Sequence, residues 1–296
     1  MSVEEELDQR ARSSAQAYMG GFAWPTIVLG LFAVISYVAT PFLVVSGQLP
    51  FLVGGVLMAL LTYMSYTVLH DAAHGSINGS HKSLRWVNEA MGYLAAWVLG
   101  IPLTAHRHEH LAHHRNTNHS HDDPDYVVAN MARSPLHAVW AALRVVYSQY
   151  SFYMRHRWTV SAKGQNLRFC LEIVMALGLR VVLVVFGLGW EGVALFAVAG
   201  IGGVMVLMYL FAYIVHVPHN KMWRYLDTST IIAPAFCNTL VTYLWGFQNY
   251  HSIHHLFPRV PFYQYRKLFD DIGEIMIARG APVYSVTVSG LKKIHN

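Results

Sequence analysis

The chain has 296 residues, 54% of them hydrophobic and only 12% charged, with a mean hydropathy of +0.34 and a formal net charge of +5. A charged share about half that of soluble domains excludes a disordered chain and argues against an ordinary soluble enzyme. Two cysteines, Cys170 and Cys237, exclude a disulfide framework or a four-cysteine metal site, which leaves 18 histidines, more than the 16 acidic residues, to be explained.

The opening MSVEEELDQRARSS lacks the basic start and apolar core of a secretory signal and reads as a short cytoplasmic lead-in. No Lys, Arg, Asp or Glu then occurs between Arg12 and Asp71. That gap holds two apolar runs, about 22–45 and 49–69, parted by Ser46-Gly47-Gln48; each matches the ~20-residue helix that crosses ~30 Å of hydrocarbon. Segment 86–104 is apolar but near the minimum spanning length. A second pair of runs follows, about 171–190 and 192–215, turning at Glu191; Arg180 inside it needs a partner or a path to the interface. Segment 231–247 is as ambiguous as 86–104. With four spans and the N-terminus inside, all of the 21 basic residues except Arg180 fall on the inner side, as the positive-inside rule expects. The basic residues are scattered, with no stripe suited to nucleic acid. No internal repeat is present, so residues 1–296 read as one all-α integral membrane domain, its cytoplasmic face mainly at 71–169 and 220–296.

The histidines cluster at the inner ends of these runs. His70 and His74 form HxxxH; His110, His113 and His114 form HxxHH; His251, His254 and His255 form a second HxxHH; His216 and His219 close the last span. On a helix, i, i+3 and i+4 share a face, and neutral imidazole is a common ligand for iron, zinc and copper. One HxxxH alone is an ordinary packing pattern, and one HxxHH can be a surface run. Three such groups on one side of a membrane point to metal, and their number exceeds what one ion can hold. His106, His108, His119 and His121 suit supporting or solvent roles; His81, His137, His156 and His295 lack the spacing. If all groups meet at one site, neither 86–104 nor 231–247 can be a full crossing, so both read as interfacial or re-entrant helices and four transmembrane helices remain. The zinc protease pattern HExxH fails because Ala112 stands at its second histidine position.

HDAAH at 70–74, HLAHH at 110–114 and NYHSIHHLFP at 249–258 resemble the three histidine boxes of the membrane fatty acid desaturase superfamily, which includes bacterial carotenoid hydroxylases and ketolases. Asp122-Asp123-Pro124-Asp125, Asn249-Tyr250 and Leu256-Phe257-Pro258 are most similar to that carotenoid branch, and the HxxxH of box one is shorter than the HxxxxH of some other members. The resemblance implies two iron ions open to O₂, held by His70, His74, His110, His113, His114, His251, His254 and His255, with His216, or failing it His219, as a further ligand. It implies a bacterial inner-membrane location. Asp71, Glu109, Asp122, Asp123, Asp125, Asn116, Asn118 and Asn249 are candidates to orient ligand rings, or are ordinary surface polar residues. Tyr66, Tyr213, Trp245, Phe247 and Tyr250 are candidates to line a cleft for an apolar substrate, or are ordinary interfacial aromatics. Without a flavin, haem or iron–sulfur motif, electrons must come from an external ferredoxin-type carrier or reductase. The expected function is O₂-dependent hydroxylation of a carotenoid ring. The alternatives are ketolation, desaturation of an acyl lipid at the same site, and, from another class, a membrane metal-binding or transport protein.

Overall fold

A backbone in hydrocarbon must satisfy its own polar groups, so charge-free apolar runs become helices. The computed structural model describes residues 2–294, is 71% helix and has three helical segments long and apolar enough to cross a membrane. The first two follow α1 (Val3–Gln16): they are α2 (Trp24–Val45) and α3 (Phe51–His74). The 22 residues of α2, opened by Pro25, rise about 33 Å. α3 outruns its apolar stretch because the first histidine pair rides on its last turns, which stop at Gly75 with φ 68°.

The third segment, Gln165–His216, has 52 residues and would be about 78 Å long if straight, more than twice a bilayer core. It is broken. α7 (Gln165–Leu183) leads into a π-helical turn, Val184–Leu188, and α8 (Gly189–Leu207) starts at Gly189, whose φ of 55° and ψ of −151° suit only glycine. The break thus lies two residues ahead of the expected turn at Glu191. Its apex meets α2, where a Cβ on Gly187 would touch Phe42. The start of α7 lies instead beside α5 (Leu103–Asn116), where Glu172 accepts hydrogen bonds from the Thr104 N–H at 3.0 Å and hydroxyl at 2.5 Å. α8 lies along α3 so closely that a Cβ on Gly203 would come within 2.6 Å of Thr62.

Arg180 donates to the carbonyls of Trp97 and Val98 at 2.7 and 2.9 Å, at the end of α4 (Arg85–Leu99), with its guanidinium 5.1 Å from the Trp97 ring. The negative end of a helix dipole takes the place of a carboxylate. α4 packs Met91, Ala95 and Ala96 against Val68, Leu69 and Ala72 of α3. α6 (Pro135–His156) begins with the Ser134 hydroxyl accepting from the His137 N–H.

The chain is helical as expected, with three short strands among the described residues, but segment 231–247 is not one helix. It opens in β1 (Thr230–Ile232) and continues as α9 (Asn238–Leu244). Beyond α10 (His251–Leu256) and α11 (Tyr265–Ala278), β1 pairs in parallel with β2 (Val283–Thr287), which pairs antiparallel with β3 (Gly290–Lys293). The β-branched residues of β1 and β2 suit strands, but the pairing spans about fifty residues and has no local signal. α1 closes this end by packing Ala11 and Ala15 on the core around α11. His295 lies outside the described residues.

Candidate metal centre

The histidines meet because the elements that carry them end together. His70 and His74 come from the last turns of α3; His110, His113 and His114 from the second half of α5; His216 from the end of the α8 segment; His251, His254 and His255 from α10. Their ring nitrogens form two groups, within each of which all lie within 4.8 Å of one another: His70, His74, His110, His114 and His254, and His113, His216 and His255. His251 borders the second group, its ring centre 5.0 Å from that of His216 and 4.8 Å from that of His255. His219 belongs to neither and stacks on Tyr213. His81, His121, His137 and His156 are exposed. His106 is buried, stacked on His110, with Nδ1 on Gln149 Oε1 at 2.9 Å.

Several rings are tied outward through Nδ1: His113 to Asp123 Oδ1 at 2.8 Å, His216 to the Ala212 carbonyl at 2.6 Å, His251 to Gln248 Oε1 at 3.1 Å, and His254 to the Tyr265 hydroxyl at 3.0 Å. His255 Nδ1 lies 3.4 Å from the Thr117 hydroxyl and 3.5 Å from Asp227. The Nε2 atoms then crowd together. That of His114 is 3.1 Å from that of His110 and 2.8 Å from that of His254, and those of His113 and His216 are 3.1 Å apart. Both nitrogens of His70, and Nε2 of His74 and His255, are buried and have no hydrogen-bond partner among the described residues. Leaving such atoms unpartnered is costly, and one shared cation in each group would satisfy one nitrogen of each of these rings. Five nitrogens in one group, and three with His251 beside them in the other, suit two transition-metal ions. The clusters are compatible with a di-iron site.

Electrostatics divides the rings. Burial, helped by neighbouring rings, holds His110, His114, His251, His254 and His255 well below the usual histidine pKa, in the neutral form that ligates metal. Burial pulls His113 the same way, but the Asp123 carboxylate, with Asp125 and Asp227 behind it, outweighs it and raises its pKa to about 9.

Six expected ring-orienting residues bond elsewhere than to a clustered ring: Glu109 accepts from the Gln149 amide, Asn116 donates to the Ala112 carbonyl and Asn118 to the Lys221 and Asp227 carbonyls, and Asp71, Asp122 and Asn249 follow suit. Asp71 accepts from the Thr26 hydroxyl at 2.8 Å and the Phe262 N–H at 3.3 Å, tying α3 to the chain ahead of α11. Asp122 is exposed and pairs with His119. Asn249 donates to the Ile231 carbonyl and the Thr242 hydroxyl, both at 3.1 Å. Asp125 stands 3.9 Å from His113 Nδ1, behind Asp123. Tyr265, Asp227 and Gln248 lie outside the boxes, and no spacing signal marks them.

An apolar cavity of about 440 Å³ between α6 and α8 is lined by Tyr66 and Phe211, which lie against the cluster. Tyr66 and Phe211 stand at its inner end, the Phe211 ring 4.9 Å from that of His70 and 5.2 Å from that of His251. Of the expected lining aromatics only Tyr66 borders it; Phe247 borders a different cavity, between α2, α3 and α9, and Tyr250 is buried against Phe269.

A family model described as fatty acid desaturase matches residues 46–287, well over half of the chain. No curated protein matches it.

Proposed function

This chain belongs to the fatty acid desaturase family, and from that premise we propose that it is an O₂-dependent di-iron membrane oxidoreductase that attacks an unactivated C–H bond of a lipid-soluble substrate. The observation that carries the reading is the convergence of eight histidines into two groups, with His251 beside the second, in which several rings are tied outward through Nδ1 and, among the described residues, four buried nitrogens lack partners. His70, His74, His110, His114 and His254 would hold one iron; His113, His216, His255 and His251 would hold the other. When bound, the irons supply the oxidising power that no side chain has. The chain does the rest. Asp123, Asp227, Tyr265 and Gln248 fix the rings, and Tyr66 and Phe211 exclude water and press an apolar chain toward the cluster.

Four crossings are the reading supported by the third segment starting beside Thr104 of α5, breaking where Gly187 meets Phe42 near the end of α2, and ending at His216 beside His113 of α5. The metal centre and both termini then face the cytoplasm, as the distribution of Lys and Arg favours. The finer reading is hydroxylation of a carotenoid ring, supported by the resemblance of the sequences flanking boxes two and three to that branch. Desaturation of an acyl lipid is the second reading, favoured by the family itself. Expression in cells that accumulate β-carotene, and in cells supplying only acyl lipids, separates them by product mass. Oxygenated pigment is expected; a new double bond in lipid would transfer the assignment to desaturase. One zinc per chain and no iron would overturn the di-iron reading.

A further inference from the structure

We propose that the polar cavity on the opposite face of α6 is the docking surface for an acidic one-electron carrier protein, a proposal that rests on the oxidoreductase reading above. Placing one oxygen atom of O₂ in a C–H bond and releasing the other as water consumes two electrons and two protons; desaturation, which releases two waters, consumes the same. The protons come from water. The electrons need a donor, and this chain has no flavin, haem or iron–sulfur motif.

α6 is two-faced. Val139, Leu143 and Val146 line the apolar cavity, while Trp140, Arg144 and Tyr147 line a second one of about 810 Å³. Arg115, Arg155 and Arg157 join them there. Among the described residues none of these four arginines makes an ion pair; the arginines that do are Arg12, Arg107, Arg224 and Arg279. Arg144 and Arg155 lie over the Tyr147 ring at 5.7 and 5.6 Å, so an aromatic positions them and their charge is left for a partner. Two aspartates share the lining: Asp122 pairs with His119, and Asp123 with His113. Asp123 also gives the cavity its use. Its buried carboxylate is 2.8 Å from His113 Nδ1, so the inner wall of the cavity is separated from the second histidine group by one hydrogen-bonded pair. Charge complementarity of this kind speeds encounter and weakens with salt, and transient redox partners need only a small contact area. Each encounter oxidises one carrier by one electron, and two encounters serve one turnover.

The test uses the iron-loaded full-length chain in phospholipid bilayers, with a reduced, acidic [2Fe–2S] ferredoxin as donor and dithionite as a donor that needs no docking. Arg144→Glu with Arg155→Glu is expected to slow ferredoxin-driven reduction of the irons about tenfold or more, wild-type ferredoxin rates should fall as salt rises, and dithionite rates should stay unchanged. Unchanged ferredoxin rates in the double variant, or no salt dependence, overturn the proposal. Should that variant lose iron, Arg144→Gln with Arg155→Gln is expected to keep iron and show a smaller slowing; no slowing there overturns it too. Inorganic pyrophosphate that fills the cavity without competing with ferredoxin would assign the arginines to a phosphorylated small molecule, again overturning it. Wild-type chain that neither donor can reduce overturns the oxidoreductase reading and this proposal with it, an outcome distinct from loss of the ferredoxin arm alone.

Discussion

His70, His74, His110, His114 and His254 surround one space and His113, His216 and His255 another, and α5 supplies rings to both. Around the first group, among the described residues, no carboxylate reaches a ring; its outward hydrogen bond runs from His254 to the neutral Tyr265 hydroxyl. Around the second stand Asp123 at 2.8 Å, Asp125 at 3.9 Å and Asp227 at 3.5 Å. The first group is therefore a neutral cage that would hold a cation by number of ligands. The second has fewer rings, but carboxylates behind two of them make those imidazoles stronger donors. One helix with HxxHH spacing thus serves two sites of unlike electrostatics, because His113 turns toward the acidic loop after α5 while His110 and His114 turn toward α3.

Breaking the first group should have the largest effect. His110→Ala removes a central ring and is expected to lower activity by more than about a hundredfold, beyond the range usual for loss of an outer hydrogen-bond partner. Iron counted by mass spectrometry of the folded chain should fall from two to one. A fall to zero would show that the two groups bind as a unit. Asp123→Asn tests the second group. It keeps a hydrogen-bond acceptor for His113 but removes the charge, and a loss of about 10- to 100-fold in activity or in affinity for one of the two irons is expected. Equal weakening of both irons would erase the distinction between the groups.

The same contrast predicts a pH dependence confined to one ion. In the metal-free chain the pKa of His113 is about 9, above the unfolded value. The His113–Asp123 pair is therefore fully formed below the unfolded pKa and is lost as pH rises through about 9, and iron must displace its proton. Below that pH, affinity for one iron should fall by about tenfold per unit, while the other changes little until the ligand rings of the first group begin to protonate. Iron titration of the metal-free chain at several pH values between 7 and 9 reads this directly. Two parallel pH profiles would contradict the assignment of the carboxylates to a single group.

What was legible in the sequence was local. The spacing of His110, His113 and His114 works because an α-helix alone brings i, i+3 and i+4 together, and the charge gap from Arg12 to Asp71 announces α2 and α3 because hydrocarbon admits little else. What was not legible joins residues far apart. Arg180 finds its acceptors 82 and 83 residues away at the end of α4. β1 and β2 pair across the whole of α10 and α11. Asp71 is a candidate to orient a ligand ring, yet next to His70 on the helix it points away and its carboxylate serves Thr26 and Phe262 instead. The sorting of nine rings into five and three, with His251 beside the three, depends on how α5 crosses α3 and α10, which no spacing records.

Asp227→Asn should have the smallest effect and sharpens the comparison most finely. Asp227 lies 3.5 Å from His255 Nδ1, against 2.8 Å for Asp123 on His113, and it is not alone there. The Thr117 hydroxyl donates to the His113 carbonyl at 2.9 Å, which leaves its oxygen free to accept from His255 Nδ1 at 3.4 Å. With asparagine at 227 the His255 ring keeps that acceptor and its orientation, and only the remoter charge is lost. Activity and affinity for the second iron should drop by less than the Asp123→Asn loss, about threefold to tenfold. Thr117→Val together with Asp227→Leu removes both acceptors and should bring the loss up to that of Asp123→Asn. If Asp227→Asn alone already matches it, net negative charge rather than ring orientation is what the second group draws from its carboxylates.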